Sequence, residues 1–167
     1  MKLVHETLDE LKKQLINNKL SIQDRNGVDI EMEFQFDKPA SETETEAFIH
    51  STELQLPEDY KAFLQIHNGA TLFQPWYGGQ FELYGLSSIH KQKNLGLFME
   101  SWYPIGYQDG GYLMIDGKKA NQGEQDYLLW WESSIVEDAK NLCMNFVTWL
   151  DQFILAQGKK FWDHKVS

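Results

Sequence analysis

Residues 56–69 read LPEDYKAFLQIHNG, and this stretch decides the fold because it carries a helix together with its start and its end. Pro57 suits a first-turn position, and the carboxylates of Glu58 and Asp59 favour the positive end of a helix dipole. The next apolar residues recur at three- and four-residue steps and predict one buried stripe: Tyr60, Phe63, Leu64 and either Ile66 or His67. Asn68-Gly69 supplies the left-handed stop that ends such a helix.

Upstream of this helix, the sequence predicts a helix, a hairpin and another helix. Apolar residues recur at helical spacing through the opening residues, so the chain begins with an amphipathic helix. Asn26-Gly27 can form the positive-φ turn of a tight hairpin, and residues 28–36 alternate between apolar and polar. Ser41, followed three residues later by Glu44, has the form of a capping box and opens the next helix.

Downstream, a loop rich in aromatic residues and glycine precedes several strand-like runs separated by turn signals. These runs are FELYGLSSI at 81–89, WYPIGYQDG at 102–110, GYLMIDG at 111–117 and DYLLWWES at 126–133. A closing helix is predicted from about Val136 to Ala156. Connections this short favour antiparallel pairing over helical crossovers. We therefore expect a single α+β domain, with an antiparallel sheet of about five or six strands and helices packed on one face.

Length, charge and cysteine content narrow the class of protein. A chain of 167 residues fits one domain with one core. The formal net charge of −10 repels phosphate backbones and anionic lipid headgroups, so we expect no nucleic acid and no membrane as partner, and a basic protein is favoured. Cys143 is the only cysteine, so we expect a small buried residue of the closing helix and a reducing, cytoplasmic compartment. The sequence shows neither a signal peptide nor an apolar run of membrane-spanning length.

Four stretches follow one another in a characteristic order: LPEDYKAFLQIHNGA at 56–70, WYPIGYQDGGYLMID at 102–116, DYLLWWES at 126–133 and NFVTWLDQF at 145–153. The most specific parts are Leu56-Pro57 with Tyr60 and Leu64, the Asn68-Gly69 stop, and Pro104-Ile105-Gly106 with its Asp-Gly turn. In this order and spacing the chain resembles the SUKH superfamily, which includes the Smi/Knr-type regulators. The resemblance covers roughly Ser41 to Phe153.

The resemblance implies one SUKH-like domain over residues 1–167, with an N-terminal helix and hairpin at 1–40, a family-like core at 41–156 and a C-terminal tail at 157–167. It also implies a protein-binding role, because bacterial members are interpreted as immunity proteins that neutralise toxins, often nucleases, and fungal members resemble regulatory interaction proteins. The hairpin around Asn26-Gly27 and the loop from Phe73 to Gln80 depart from the family pattern. The partner surface of relatives is therefore not transferred to this chain.

The sequence holds no residue set that points to catalysis or to a cofactor. Its five histidines never fall at a short metal-ligand spacing, and no second cysteine could complete a zinc site. A G-x-S-x-G elbow, a phosphate loop and a dinucleotide fingerprint are absent. Asp109-Gly110 and Asp116-Gly117 are interpreted as hairpin turns, because Asp and Gly are favoured there for backbone reasons. We therefore predict no metal, no cofactor and no enzyme activity.

Acidic and aromatic residues leave two classes of function open. In the first, the chain is a non-catalytic immunity protein that binds a basic cognate toxin, since Trp and Tyr are frequent interface anchors and carboxylates complement a basic cleft. The predicted contact residues are Trp76, Tyr77, Glu82, Trp102, Tyr103, Asp109 and Asp116. In the second, the chain is a cell-wall-related regulator, a sensor of small molecules or carbohydrates, or a hydrolase. The cleft predicted for that class is built from Trp76, Trp102, Asp109 and His90.

Overall fold

The computed structural model describes residues 2–132 and 139–163. The helices in this part of the chain are α1 (Val4–Gln14), α2 (Glu42–Thr52), α3 (Glu58–Ile66), α4 (Leu86–Lys93), α5 (Gly117–Asn121) and α6 (Phe146–Leu155). The strands are β1 (Lys19–Gln23), β2 (Asp29–Phe36), β3 (Ala70–Gln74), β4 (Phe81–Leu83), β5 (Trp102–Gln108), β6 (Gly111–Asp116), β7 (Leu128–Glu132) and β8 (Lys140–Asn141). None of the helices in residues 2–132 and 139–163 combines the length and hydropathy needed to cross a bilayer.

The strands form one antiparallel sheet in which each strand pairs with the next one along the chain. This confirms the predicted α+β class, and it confirms the hairpin around Asn26-Gly27, where Gly27 has a φ of 75°. The described residues contain eight strands instead of five or six. The two additional strands are β3, which lies in the predicted loop, and β8, which lies inside the predicted closing helix.

Helices cover one face of the sheet and share one large core with it. The apolar stripe predicted for α3 is confirmed, because Tyr60, Phe63 and Leu64 are completely buried. Alternate residues of the strands contribute to the same core, as a pleated sheet requires. Core residues from the strands are Phe34, Leu72, Phe81, Tyr103, Ile105, Leu113, Ile115, Leu128 and Trp130.

Asp59 ties two helices to the sheet. One carboxylate oxygen accepts the N–H of Val147 at 3.1 Å, and the other accepts the hydroxyl of Tyr127. Tyr127 in turn accepts the N–H of Phe146 at 3.0 Å. The first residues of α3 and α6 are thus joined to the residue that precedes β7, and otherwise unpaired N–H groups of α6 are satisfied.

The predicted strand at 81–89 is wrong beyond Leu83, because helix α4 begins at Leu86. The side-chain oxygen of Asn68 accepts the N–H of Leu86 at 2.9 Å and so satisfies a free donor at the helix start. Gly85 lies directly against Asn68, since a Cβ atom on Gly85 would be 2.3 Å from the Asn68 carbonyl oxygen. The cap is supplied by a residue 18 positions upstream, and a local pattern does not reveal it.

The predicted closing helix is too long. Helix α6 begins only at Phe146, where the Asn145 side chain accepts the N–H of Thr148 at 3.0 Å as an N-cap. Cys143 is exposed, with a φ of 56°, so the prediction of a buried helical cysteine is wrong. A left-handed residue at this position does not fit inside a right-handed helix. The predicted start at Val136 lies outside the described residues.

Candidate functional site

The sheet face opposite the large core is here called the open face. A smaller apolar cluster on this face is formed by Met114, Leu129 and Trp131. It receives no buried side chain from any helix in the described part of the chain. A row of residues crosses this face, each being the neighbour of the next on an adjacent strand: Gln35, Thr71, Glu82, Tyr107, Tyr112 and Trp131. Because adjacent strands lie about 4.8 Å apart, the row is about 24 Å long. It changes from polar on β2 to β4 to aromatic on β5 to β7.

Aromatic rings pack closely at the β5–β7 end of this row. The ring centres of Tyr107 and Tyr112 are 5.1 Å apart, and Tyr112 stacks on Trp131 at 6.1 Å. Phe98, from the loop between α4 and β5, packs edge-on against Tyr112 at 5.2 Å and against Trp131 at 5.5 Å. Phe98 and Tyr112 pack against the smaller apolar cluster formed by Met114, Leu129 and Trp131.

The open face carries the exposed carboxylate of Glu82, and burial favours the neutral form of the nearby Tyr84 and Tyr112. Burial raises the pKa of Tyr84, and the nearby Tyr112 and Glu82 add to the effect. Burial likewise raises the pKa of Tyr112. Glu82 is exposed and makes no ion pair with any described residue. The face therefore offers a free carboxylate beside phenol hydroxyls that remain protonated at neutral pH.

Lys93 fixes the loop that carries Phe98. Its ammonium group donates to the backbone carbonyls of Met99 at 2.8 Å, Glu100 at 2.9 Å and Trp102 at 2.6 Å. Burial lowers the pKa of Lys93, although the nearby Glu100 opposes that shift. Three carbonyl acceptors match the three donors of an ammonium group, so the loop is tied to the end of α4.

A concave surface, here called the turn-end cleft, lies where the β5–β6 turn meets the end of α6. Its volume is about 740 Å³. Asp109 forms the turn in a left-handed conformation, with a φ of 45°. The side chain of Gln108 donates to the Gly79 carbonyl at 3.0 Å and holds the neighbouring loop in place. On that loop Trp76 is 90% exposed, and its ring packs edge-on against Tyr77 at 5.4 Å.

The structure divides the seven predicted contact residues among three locations. Trp76, Tyr77 and Asp109 lie at the turn-end cleft, and Glu82, Trp102 and Asp116 lie on the open face. Asp116 also accepts the N–H groups of Lys118 and Lys119, so it caps α5 in addition to facing outward.

Tyr103 is the exception, because it is 0% exposed and donates its hydroxyl to the Gln55 carbonyl at 2.9 Å. It cannot contact a partner of the folded protein, so the prediction is wrong for this residue. The strand alternation that places Trp102 on the open face sends Tyr103 into the core.

The cleft predicted for a sensor or hydrolase does not exist as one site. Trp102 begins β5 and Asp109 follows its last residue, so about 23 Å of extended strand separates them. Trp102 packs against the small cluster of the open face, whereas Asp109 lines the turn-end cleft. The described residues also contain no group of three His, Cys, Asp or Glu side chains placed to hold a metal ion.

Sequence reasoning missed the tyrosines of the open face. Tyr107 and Tyr112 are equally distant from the turn at Asp109-Gly110, so a two-residue hairpin pairs them across β5 and β6. That spacing was sufficient to predict the pair. Lys93 and Phe98 carried no comparable signal, because Lys93 bonds to a loop without regular periodicity and Phe98 lies within that loop.

Comparison with known proteins gives three matches. The family described as SMI1 / KNR4 family (SUKH-1) matches residues 39–152. The uncharacterized protein YobM of Bacillus subtilis (strain 168) is 36% identical over 171 residues, which cover 96% of this chain and 91% of YobM. The uncharacterized protein YnaB of the same organism is 34% identical over 131 residues, which cover 78% of this chain and 87% of YnaB.

Proposed function

Because this chain belongs to the SMI1 / KNR4 family (SUKH-1), we propose that it is a non-catalytic protein-binding module, and specifically an immunity protein that neutralises a cognate bacterial toxin in the cytoplasm. The observation that carries the proposal is the open face, where Glu82, Tyr107 and Tyr112 are neighbours on three adjacent strands. Tyrosine supplies contact area and a hydrogen-bonding hydroxyl at low entropic cost, and an unpaired carboxylate attracts a basic partner.

The charge of the whole chain supports a basic toxin. A net charge of −10 accelerates the encounter with a positively charged protein and repels other acidic proteins. If the toxin is a nuclease, its active site binds phosphates, and carboxylates on the open face would occupy the same positive groups. The proposed mechanism is therefore steric and electrostatic blocking of the toxin, without a chemical step.

Co-expression tests this proposal. The product of the reading frame adjacent to this gene is expected to arrest growth when produced alone, and to be harmless and bound in a stoichiometric complex when produced with this protein. The association rate should fall as salt rises, because exposed charges are screened over about 8 Å at physiological ionic strength. A non-toxic neighbour, or a toxic neighbour that this protein does not bind, would contradict the immunity function.

Charge variants locate the contact within the same assay. Glu82→Gln is expected to slow association, whereas Glu46→Gln, an exposed site on helix α2 with the same loss of charge, is expected to leave the rate nearly unchanged. Equal effects of the two variants would show that only net charge matters and that the open face is not the contact.

A cell-wall-related regulator or a sensor of carbohydrates or other small molecules is the second candidate. The observation that favours it is the turn-end cleft, which Tyr77 and Asp109 line, with the exposed ring of Trp76 packed edge-on against Tyr77. Titration calorimetry with soluble cell-wall oligosaccharides tests this candidate. Saturable binding that Trp76→Ala abolishes would favour it over the toxin partner.

A further inference from the structure

The loop between α4 and β5 displays apolar side chains to solvent. Leu95 is 57% exposed, Leu97 54% and Met99 47%, while Phe98 between them packs inward on Tyr112. Single exposed apolar residues are ordinary, but three within five positions form a patch that soluble proteins seldom leave without a purpose. Here they are called the apolar loop patch.

The backbone beneath the patch is fixed. The ammonium group of Lys93 holds the carbonyls of Met99, Glu100 and Trp102, and the N–H of Trp102 donates to the Met99 carbonyl at 3.0 Å. Phe98 anchors the middle of the loop on the open face. A displayed apolar group on a preordered backbone loses little conformational entropy when a partner binds.

Unpaired carboxylates border the patch. Met99 and Glu100 line a groove with Glu53, and on the other side the rings of Tyr112 and Tyr107 lead from Phe98 to Glu82. None of these three carboxylates forms an ion pair with a described residue. Among the described residues, Lys118 is the one ammonium group that lines the groove, and the charge of Lys93 is directed at backbone carbonyls.

We propose that the apolar loop patch is the anchor of a docking surface for a basic protein segment, in which apolar side chains are flanked by lysine or arginine. The apolar residues of that segment cover Leu95, Leu97 and Met99, and its cations face Glu53, Glu82 and Glu100. A second copy of this chain is disfavoured as the occupant, because two chains of charge −10 repel each other. The inference deepens the proposed function, on which it rests for the identity of the partner as a toxin.

A defined peptide tests the surface independently of any natural partner. The probe is a fluorescent helical peptide of leucine and lysine, and its counterpart has glutamate in place of lysine. We expect saturable binding of the lysine peptide, weakened by salt, and no binding of the glutamate peptide. The double variant Leu97→Ser and Met99→Ser should bind the lysine peptide at least about tenfold more weakly, the loss typical of hot-spot residues. The matched control is Ile16→Ser with Leu155→Ser, which removes two other exposed apolar side chains and should bind as the unaltered protein does.

Equal affinity of the patch variant and the control would overturn the inference, as would equal binding of the two peptides. Circular dichroism and thermal unfolding of both variants verify that the fold is intact. Co-expression with the adjacent toxin then separates the two proposals. Full protection by the patch variant overturns the docking surface and leaves the immunity function in place. Loss of peptide binding by the patch variant, with a neighbour that is not toxic, supports the docking surface and contradicts the immunity function.

Discussion

His67 illustrates how a single residue sets a pH response. Its Nε2 lies 2.7 Å from the Lys12 ammonium and its Nδ1 lies 2.7 Å from the Asp37 carbonyl. Because an ammonium group can only donate, Nε2 must accept, and the proton of a neutral ring sits on Nδ1 and is donated to Asp37. Burial lowers the pKa of His67 below its ordinary 6.5, the Asp37 carbonyl opposes the shift, and the Lys12 charge adds to it.

The unfolded chain therefore binds a proton at His67 at a higher pH than the folded chain does. Neutral His67 therefore contributes to the stability of the folded chain above about pH 6.5. This contribution is lost as the pH falls through the pKa of His67 in the folded state. His67→Gln should flatten the pH dependence of the unfolding free energy between pH 5 and pH 7, whereas His50→Gln, at an exposed position, should keep it. Urea unfolding across that range measures the slope. An unchanged slope in His67→Gln would show that another group titrates.

Leu64 tests the core at the same scale. It is completely buried on α3, so Leu64→Ala should lower the unfolding free energy by about 2 to 5 kcal/mol, because the truncation removes apolar contacts and leaves a cavity. Leu155→Ala, at an exposed position of α6, should change it by less than about 0.5 kcal/mol. Chemical denaturation compares the two. Similar losses of unfolding free energy in the two variants would mean that Leu64 does not contribute to the core.

At the scale of elements, Gly85 makes the start of α4 possible. A Cβ atom there would lie 2.3 Å from the carbonyl oxygen of Asn68 and 2.9 Å from its carbonyl carbon, and both are backbone atoms that cannot rotate away. Gly85→Ala should therefore separate α4 from Asn68, with a loss of stability of more than about 2 kcal/mol. Within the described part of the chain, a Cβ atom on Gly96 meets no atom within 4 Å beyond the neighbouring residues, so Gly96→Ala carries only the strain of a left-handed residue, about 1 kcal/mol. Thermal unfolding compares the stability of the two variants. A larger loss in Gly96→Ala than in Gly85→Ala would contradict the close contact between Gly85 and Asn68.

Which elements the sequence could predict depended on where their end signals lie. The start of helix α3 and the first hairpin were predictable because Pro57 and Asn26-Gly27 stand next to the elements that they bound. The predicted left-handed stop at Asn68-Gly69 does not cap α3, because the helix ends at Ile66 and the extended His67 is its C-cap. Helix α4 was not predictable, since its start depends on Asn68 in another element. Strand β3 was also missed, because its alternation is broken where Phe73 takes a φ of 50° and the pairing with β2 shifts.

The candidate site follows the same rule. Exposed Trp76 and Asp109 were predictable from composition and turn chemistry, but their grouping apart from Trp102 required the strand register. Tyr103 is an aromatic residue next to Trp102, and only the pleat of the strand determines which of the two faces the core. The apolar loop patch could not be predicted without knowing which side chain of the loop packs inward. That side chain is Phe98, and its contacts, Tyr112 and Trp131, lie on strands distant in the sequence.

For the whole molecule, the net charge of −10 leads to a prediction about nucleic acids. The purified protein should not bind duplex DNA or RNA at physiological salt, because affinity for phosphates comes from released counterions and the chain carries an excess of negative charge. A mobility-shift assay with both duplexes checks this. Saturable binding at sub-micromolar concentration would contradict the prediction and would direct attention to a basic surface instead of the acidic open face.

The order of the strands has a kinetic consequence. Each strand pairs with its successor, so the sheet can grow strand by strand during synthesis, although the β2–β3 pairing must wait for residues 37–69 and the β4–β5 pairing for residues 84–101. Helix α1 is in a different position, because it contacts α6 and its flanking Lys2 pairs with Asp151 at 2.7 Å. Contacts between residues so distant in sequence are late and slow to form. A nascent chain therefore holds a nearly finished sheet whose apolar side lacks α6 until that helix leaves the ribosome, and in that interval the exposed apolar surface favours aggregation.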